Sequence, residues 1–338
     1  MIVLEEPLAA ARDEDVVSRD GGVTVVTPHR SAAPGDALDA RAIETVRALA
    51  GERSPLVWLY TPMMLALADA FAHAPLVFDK MDELASFAHA DARIASRERA
   101  LLARADVVLA GGRSLFRSVE HRTRNPRCYP SGVDVEHFER ARESAPHPAL
   151  AQLRGPVFGY VGVIDERIDL ALIGALADAH PDATVAMVGP LAKIDESVLP
   201  RRANIVYLGK REYAELPALL AGFDVALMPF ALNEHTENIS PTKTLEYLAA
   251  GLPVVSTAVP DVVADHADVV HVARDRDAFV ALAERARQPD AERALRARTK
   301  ARAATWDAIS AAMRCDLEAA GIGYAALTPA RKNSAALA

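Results

Sequence analysis

The sequence predicts an α/β protein built from two doubly wound parallel sheets, and three observations carry that prediction. Short β-branched and aliphatic runs alternate along the chain with longer stretches of helical spacing, the pattern of parallel strands joined by crossover helices. At 338 residues the chain exceeds what one core ordinarily organises, so two domains are expected. The segment Glu139–Pro156, with Pro146, Pro148 and Pro156, divides the strands into two series and reads as the linker.

In the first series the candidate strands are Ile2–Glu5, Val23–Thr27, Leu56–Tyr60, Leu76–Asp79, Val107–Ala110 and Arg127–Pro130. A doubly wound half normally opens with a strand, a glycine-rich turn and a helix. Here the run from Ile2 leads into a polar stretch, Arg12–Gly22, without helical spacing, so the first domain is expected to lack its initial βα unit. Either the domain is reduced or the chain starts downstream of that unit. The second series is Val157–Val161, Thr184–Val188, Ile205–Leu208, Val225–Met228, Pro253–Ser256 and Val269–Val272. Beyond it, Asp277–Arg287 and Asp290–Ala320 are rich in Ala and Arg, with helical spacing at Phe279, Leu282, Leu295, Trp306, Ile309 and Met313. The expected organisation is a first Rossmann-like domain over 1–145, a second over 146–288, closing helices over 289–324 and a disordered tail over 325–338.

Composition removes several classes of function. With 51% apolar and 25% charged residues the chain is a soluble globular protein, and its net charge of −8 argues against a broad nucleic-acid footprint. Any anionic ligand must then be held by a few local cations. Cys128 and Cys315 are too few for a disulfide framework, and no Cys/His spacing resembles a metal site, so a reducing cytoplasm fits best. The amino terminus has no signal-peptide pattern. The apolar stretch from Pro55 to Phe78 is interrupted by Pro62, Asp69, His73 and Pro75, so membrane contact is expected to be at most peripheral.

The most informative segment runs from Asn238 to Gly251. Ser240 is a good N-cap, Pro241 suits the first helical position, Leu245, Leu248 and Ala249 supply an apolar face, and Gly251 followed by Pro253 ends the helix. Lys243 is out of place, because the positive end of the helix dipole disfavours a cation in the first turn. A bound anion resolves the conflict: free backbone N–H groups, the hydroxyls of Ser240 and Thr242 and the Lys243 ammonium make a phosphate cradle beyond a strand. The plainer alternative is a solvated lysine on a well-made helix start. Glu246, one turn further along the same side, suits the hydrogen bonds of ribose hydroxyls.

Other strand ends offer companions to this cradle. Gly162 closes Val157–Val161, and Arg167 follows it where a helix is expected to start, so that it either meets phosphate or pairs with Asp165, Glu166 or Asp169. Lys193 follows a Gly-Pro turn and is by default a surface lysine. Arg211 and Tyr213, after the strand ending at Gly209, suit stacking on a nucleobase, although Tyr213 equally suits a core position. In the first series, Asp79 and Asp82 lie just past a strand and suit orienting or deprotonating an acceptor hydroxyl, while Asp82 also suits capping the next helix. His235 sits in a polar loop beside the cradle.

The stretch Ile239-Ser-Pro-Thr-Lys-Thr-Leu-Glu-Tyr-Leu-Ala-Ala-Gly-Leu-Pro-Val-Val-Ser-Thr257 resembles the donor-site signature of GT-B retaining glycosyltransferases of the family-4-like group. Tyr129-Pro-Ser-Gly-Val-Asp-Val-Glu-His-Phe138 is similar to that group's segment just before the second domain. With Asp79-Lys-Met-Asp-Glu83 and Gly162–Arg167 the resemblance covers most of residues 55–285, and it is strongest to the bacterial branch that includes teichuronic-acid-type enzymes. It implies a nucleotide diphosphate-sugar donor in the second domain, an acceptor entering from the first, and no metal or other cofactor. It assigns Glu246 to the ribose, Ser240, Thr242 and Lys243 to the diphosphate, and Arg167 to the opposite wall. Two departures stand out. The first glutamate of the group's E-x7-E pattern falls at Asn238, and relatives carry an extra strand and helix before the segment that starts here at Met1.

The function expected is therefore transfer of a sugar to an envelope glycan, a lipid-linked acceptor or a small molecule, with Asp79, Asp82 and Asn238 as catalytic candidates and no nucleic-acid partner. Two other readings remain open. One is a non-catalytic homologue that binds nucleotide or supports a partner enzyme; the other is sugar-nucleotide epimerisation on the same architecture.

Overall fold

Strands buried on both faces of a parallel sheet must be apolar throughout, and that requirement sorts the chain into its sheets. The computed structural model describes residues 1–31, 39–52, 55–86, 90–234 and 236–323; His235 and the tail expected over 325–338 lie outside them. The described residues form two units by contact. The first comprises 1–111, 115–128 and the described part of the segment beginning at Arg314; the second comprises 112–114 and 129–313 and includes all of Glu139–Pro156.

The first unit holds β1 (Ile2–Leu4), β2 (Leu8–Ala9), β3 (Glu14–Asp20), β4 (Val23–Arg30), β5 (Val57–Leu59), β6 (Leu76–Lys80), β7 (Val107–Ala110) and β8 (Pro126–Cys128). They make two sheets. In one, β4 pairs in parallel with β1 and β2 and antiparallel with β3; the other is parallel, in the order β5-β6-β7-β8. The polar stretch Arg12–Gly22 is thus largely a strand. It turns through Gly21 and Gly22, both at positive φ (52° and 87°), and its outer half is exposed on both faces, which is why no apolar alternation announces it. The strand expected at Arg127–Pro130 begins one residue earlier, at Pro126. Phe78, Leu101, Val108 and Leu115 centre the core on one face of the parallel sheet.

The second unit holds β9 (Val157–Val161), β10 (Thr184–Val188), β11 (Ile205–Gly209), β12 (Val225–Met228), β13 (Val254–Thr257) and β14 (His271–Ala273), all parallel, in the order β11-β10-β9-β12-β13-β14. This is the doubly wound order, and it reverses direction between β9 and β12. A ligand crevice is therefore expected beyond the carboxyl ends of those two strands. The closing helices Arg276–Ala286 and Ala291–Ala303 bury Phe279, Ala283, Ala297 and Ala301 in the core of this unit.

Candidate functional site in the second unit

Three glycines end the first three strands and lace their carboxyl ends together. Gly162 donates its N–H to Val188 (2.9 Å), and Gly189 donates to Gly209 (2.9 Å). Gly189 has φ of 145°, and a Cβ there would stand 1.8 Å from the Gly162 carbonyl oxygen, so only glycine allows the approach. The loops beyond are joined as well. Ile164 donates to Pro190 (2.9 Å) and Ala192 to Ile164 (3.1 Å), while Asp169 donates to Pro229 (2.8 Å) and Ala231 to Arg167 (2.8 Å). The loops after β9, β10 and β12 form one hydrogen-bonded rim at the switch point.

The helix after β12 runs Lys243–Ala250 and starts later than the sequence suggested. Thr242, already helical at φ −55° and ψ −32°, is its N-cap and makes no side-chain cap bond, so Ser240 is not the cap and Pro241 is not the first helical residue. The cause is a tightened first turn. Thr244 donates to Pro241 (3.1 Å) and Leu245 to Thr242 (3.2 Å), bonds between residues three apart. Lys243 nonetheless occupies the positive end of the helix. Its Nζ lies 3.0 Å from Glu246 Oε2, the carboxylate three residues on, and both side chains are partly exposed. At the carboxyl end Gly251 closes the helix in the left-handed region, at φ 83°.

The other cations of the region are paired in the same way. Arg167 folds back on Asp165 in a two-pronged pair, with a closest approach of 2.7 Å. It does not begin the next helix; that is Leu170–Ala179, capped by Asp169, whose carboxylate accepts from Leu172 N–H at 2.8 Å. Lys193 lies 3.6 Å from Glu166, and it takes a left-handed backbone (φ 59°), uncommon for a residue with a side chain. Arg211 lies 3.9 Å from Glu215. Each cation expected to meet phosphate or base therefore lies near a carboxylate, Lys193 across to the loop after β9 and the others within their own segment, and Arg167 takes the ion-pair alternative.

Tyr213 is divided between the two roles expected of it. Its ring stacks on His137 with centroids 4.1 Å apart, and its carbonyl accepts from His137 Nε2 at 2.9 Å, yet the residue remains 46% exposed. Burial, with the charges of Asp134 and Glu246, pushes its phenol up to about 12, so it is neutral at physiological pH. Asn238 and Ser240 are half-buried on the segment leading into the helix. That segment follows a turn pinned by buried Thr236, whose hydroxyl donates to Ala231 and accepts from Asn233 N–H at 3.1 Å.

Two further residues fix this helix without having been singled out in the sequence. Tyr247 is fully buried, and its hydroxyl accepts from Val161 N–H at 2.8 Å, tying the helix to the end of β9; burial drives its phenol well above the ordinary value. Thr244, also buried, donates to the Met228 sulfur at the end of β12 (3.4 Å). A Tyr inside an otherwise aliphatic helix face was the available signal.

Asp79 and Asp82 belong to the first unit. Asp79, on β6, is 4% exposed and accepts from Trp58 Nε1 at 3.1 Å. Burial pushes its carboxyl up to about 6, against the smaller opposite effect of the Trp58 hydrogen bond. Asp82 Oδ1 accepts from the next residue's N–H at 2.9 Å. Among the described residues no group of His, Cys, Asp and Glu is arranged to hold a metal ion, and no helix is long and apolar enough to cross a membrane.

Comparison with known proteins gives this geometry a family. Residues 155–288 match the Glycosyl transferases group 1 family model, so the β9–β14 sheet and its rim are a domain of that family. A Bacillus subtilis (strain 168) protein assigned as a teichuronic acid biosynthesis glycosyltransferase, TuaH, is 31% identical over 175 residues, covering 49% of this chain and 44% of the relative. The chain thus spans less than half the length of that relative along the match. Among solved structures, sucrose-phosphate synthase from Thermosynechococcus elongatus superposes with a TM-score of 0.68 at 15% identity, over 92% of this chain and 86% of that one. Anabaena HepE in complex with UDP gives 0.68 at 18%, over 88% and 86%. A UDP-forming α,α-trehalose-phosphate synthase from Burkholderia vietnamiensis gives 0.70 at 13%, over 95% and 97%. The fold is the GT-B architecture.

Proposed function

We propose that this chain, whose residues 155–288 form a Glycosyl transferases group 1 domain, is a glycosyltransferase that takes its sugar from a nucleoside diphosphate-sugar bound at the carboxyl end of the β9–β14 sheet. The observation that carries the reading is the Lys243–Glu246 pair at the start of the helix after β12, a cation and an anion poised at a switch-point rim. A diphosphate competes for the lysine and the positive helix end, and a ribose competes for the glutamate. HepE, which shares the fold, has been solved with UDP and with UDP-glucose, which supports a uridine diphosphate-sugar as the first donor to test.

In the transfer, an acceptor hydroxyl oxygen bonds to the anomeric carbon as the bond from that carbon to the diphosphate oxygen breaks; the charge develops on the leaving diphosphate, which takes up the hydroxyl proton. Lys243 and the helix N–H groups stabilise that charge, with Arg167 turning from Asp165 to the β-phosphate side. Cations and helix end supply the neutralisation, so the reaction proceeds without a metal. Asn238 hydrogen-bonds the hydroxyls of the transferred sugar in place of a carboxylate, and retention of configuration is the expected stereochemistry. The acceptor is an envelope glycan, a lipid-linked sugar or a small glycoside, met by the protein in the cytoplasm or at the inner membrane face.

The test is twofold. Uridine and guanosine diphosphates and their sugar conjugates at millimolar concentration are expected to raise the melting temperature, with or without chelator, because a ligand bound only by the native state stabilises it by mass action. With acceptor present, nucleoside diphosphate is released in step with a new glycoside. A thermal shift without release would make the chain a nucleotide-binding homologue, and sugar-nucleotide isomerisation without release would make it an epimerase.

A further inference from the structure

The two edges of β4 are occupied differently. Along one, β1 and β2 both bond to its even-numbered residues: Thr24 donates to Met1 (2.8 Å), Glu5 to Val26 (3.0 Å) and Ala10 to Arg30 (2.8 Å). Along the other lies β3, in an unbroken antiparallel register from Glu14 opposite His29 to Asp20 opposite Val23. Facing residues in such a ladder alternate between pairs that exchange both backbone hydrogen bonds and pairs whose N–H and C=O groups point away from each other. Pro28, which has no N–H, faces Asp15 and fixes the phase. Glu14, Val16, Ser18 and Asp20 therefore bond to β4, while Asp15, Val17 and Arg19 turn their backbone groups outward.

Among the described residues no other strand pairs with β3, so those outward groups form an edge of the sheet. An edge strand invites another strand, and proteins blunt it with proline, lysine, a bulge or a very short length. β3 has none of these. It runs for seven residues, and Val16 and Val17, on opposite faces, are 41% and 43% exposed.

The edge is complementary to itself. A two-fold axis normal to the sheet at Val17, the middle residue, lays a second β3 antiparallel to the first with the whole strand overlapped. The outward groups then meet in phase: Asp15 faces Arg19 of the second copy, Val17 faces Val17, and Arg19 faces Asp15, each pair exchanging both of its backbone hydrogen bonds. Asp15 and Arg19 carry opposite charges, and Arg19 is exposed with no ion-pair partner among the described residues. At the strand ends Glu14 faces Asp20, a like-charge contact that Arg12, 3.3 Å from Glu14, offsets. An axis one residue away, at Val16, would instead enlist Asp13, which lies outside the strand and whose carbonyl already accepts from Arg41 (2.9 Å).

We propose that β3 is a homodimer interface, at which two copies of this chain pair antiparallel about Val17 and continue one sheet of the first unit across the two-fold axis. The pairing uses the β3 edge of both copies, so assembly closes at two. A contact of one strand from each copy falls short of the roughly 1,200–2,000 Å² buried in stable complexes, so the dimer forms reversibly and at high concentration. It is independent of the donor site, because β3 lies in the first unit.

The experiment is sedimentation equilibrium of the full chain from low micromolar to near-millimolar concentration, where a monomer is expected to pass to a dimer and no further. Val17→Pro removes an N–H that β4 does not use, so it should keep the circular dichroism spectrum and melting temperature while raising the dimer Kd about tenfold or more. Arg19→Glu sets like charges against Asp15 and should act in the same direction without altering the backbone. The register is read by cross-linking in a chain carrying Cys128→Ser and Cys315→Ser. Val17→Cys brings its two thiols onto residues about 5.5 Å apart at Cα and should give a covalent dimer on mild oxidation with copper phenanthroline, whereas the two copies of Asp20→Cys stand about 20 Å apart and should not. A monomer at every concentration, which would leave the edge to a strand of another protein, overturns the proposal. So does association that neither Val17→Pro nor Arg19→Glu weakens, growth beyond dimers, or equal cross-linking at the two cysteine positions.

Discussion

Lys80 and Lys243 each stand beside the carboxyl end of a parallel strand, in different units, and both face carboxylates at hydrogen-bond distance. Lys80 has 1% of its side chain exposed and lies between Glu98 and Glu83; Lys243 has 27% exposed and touches Glu246, itself 15% exposed. The contact lengths barely differ, but the consequences of opening them do. Removing one member of a buried pair strands a charge in low dielectric, whereas a partly exposed pair contributes at most about 1 kcal/mol and water readily replaces either partner. The first is a fixed part of the core. The second is a pair a ligand can take apart, its lysine going to phosphate and its glutamate to ribose.

The largest expected effect breaks the fixed pair. Lys80→Met takes from buried Glu98 its nearer cation, leaving Arg122 at 3.7 Å, and should destabilise the protein by up to about 3–5 kcal/mol in denaturant unfolding. Adding Glu98→Gln to that variant should recover part of the loss, since the stranded charge is then gone. If Lys80→Met unfolds at the wild-type midpoint, the contrast between the two lysines disappears.

The same contrast explains what the sequence disclosed. Val107–Ala110, Val157–Val161, Thr184–Val188 and Val225–Met228 are strands to the residue, because burial on both faces leaves an unbroken apolar run between polar boundaries. β3 escaped because its outer half is exposed on both faces and carries charge. In the candidate site, Lys243 and Glu246 were legible because a cation at a helix start conflicts with the dipole, a local rule. Trp58, Thr236 and Tyr247 were not, because what each does depends on a partner brought up by the fold: Asp79, Ala231 and Val161. The helix start was misplaced by the same limit, since Ser240-Pro-Thr satisfies the cap statistics while the chain tightens the turn around Pro241 and Thr242 instead.

Asp79 sharpens the comparison, being buried like Lys80 but with no ion-pair partner among the described residues. Its folded carboxyl, near 6, lies above the ordinary 3.8, so the native state holds a proton that the unfolded state has released between those values. The Asp79 contribution to stability should therefore rise as pH falls from about 6 toward 4, and at pH 7.5 the ionised group opposes folding by up to ~3 kcal/mol. Asp79→Asn should raise the unfolding free energy at pH 7.5 and lose most of that advantage by pH 4. A gain that is the same at both pH values would mean Asp79 is not a raised carboxyl.

The smallest effects on folding, and the most specific ones on binding, belong to the exchangeable pair. Lys243→Ala should alter stability by less than about 1 kcal/mol, because the lost ion pair and the relieved dipole conflict nearly offset, while nucleoside diphosphate affinity falls by roughly ten- to a hundredfold. Glu246→Gln keeps the shape of its side chain but exchanges charged acceptors for an amide, and should lower affinity for a ribonucleoside diphosphate by about 1–2 kcal/mol. A 2′,3′-dideoxy nucleoside diphosphate has lost the hydroxyls that Glu246 is proposed to receive, so wild type and variant should bind it with nearly equal affinity. The two losses are then non-additive, as expected for groups in contact. The Lys243 contact runs through phosphate, which both nucleotides keep, so Lys243→Ala should weaken both ligands equally. This separates a glutamate that acts on the ribose from one that acts only by orienting its lysine: in the second case Glu246→Gln would weaken the dideoxy ligand as much as the ribose form, and Glu246 would have no place at the sugar of the nucleotide.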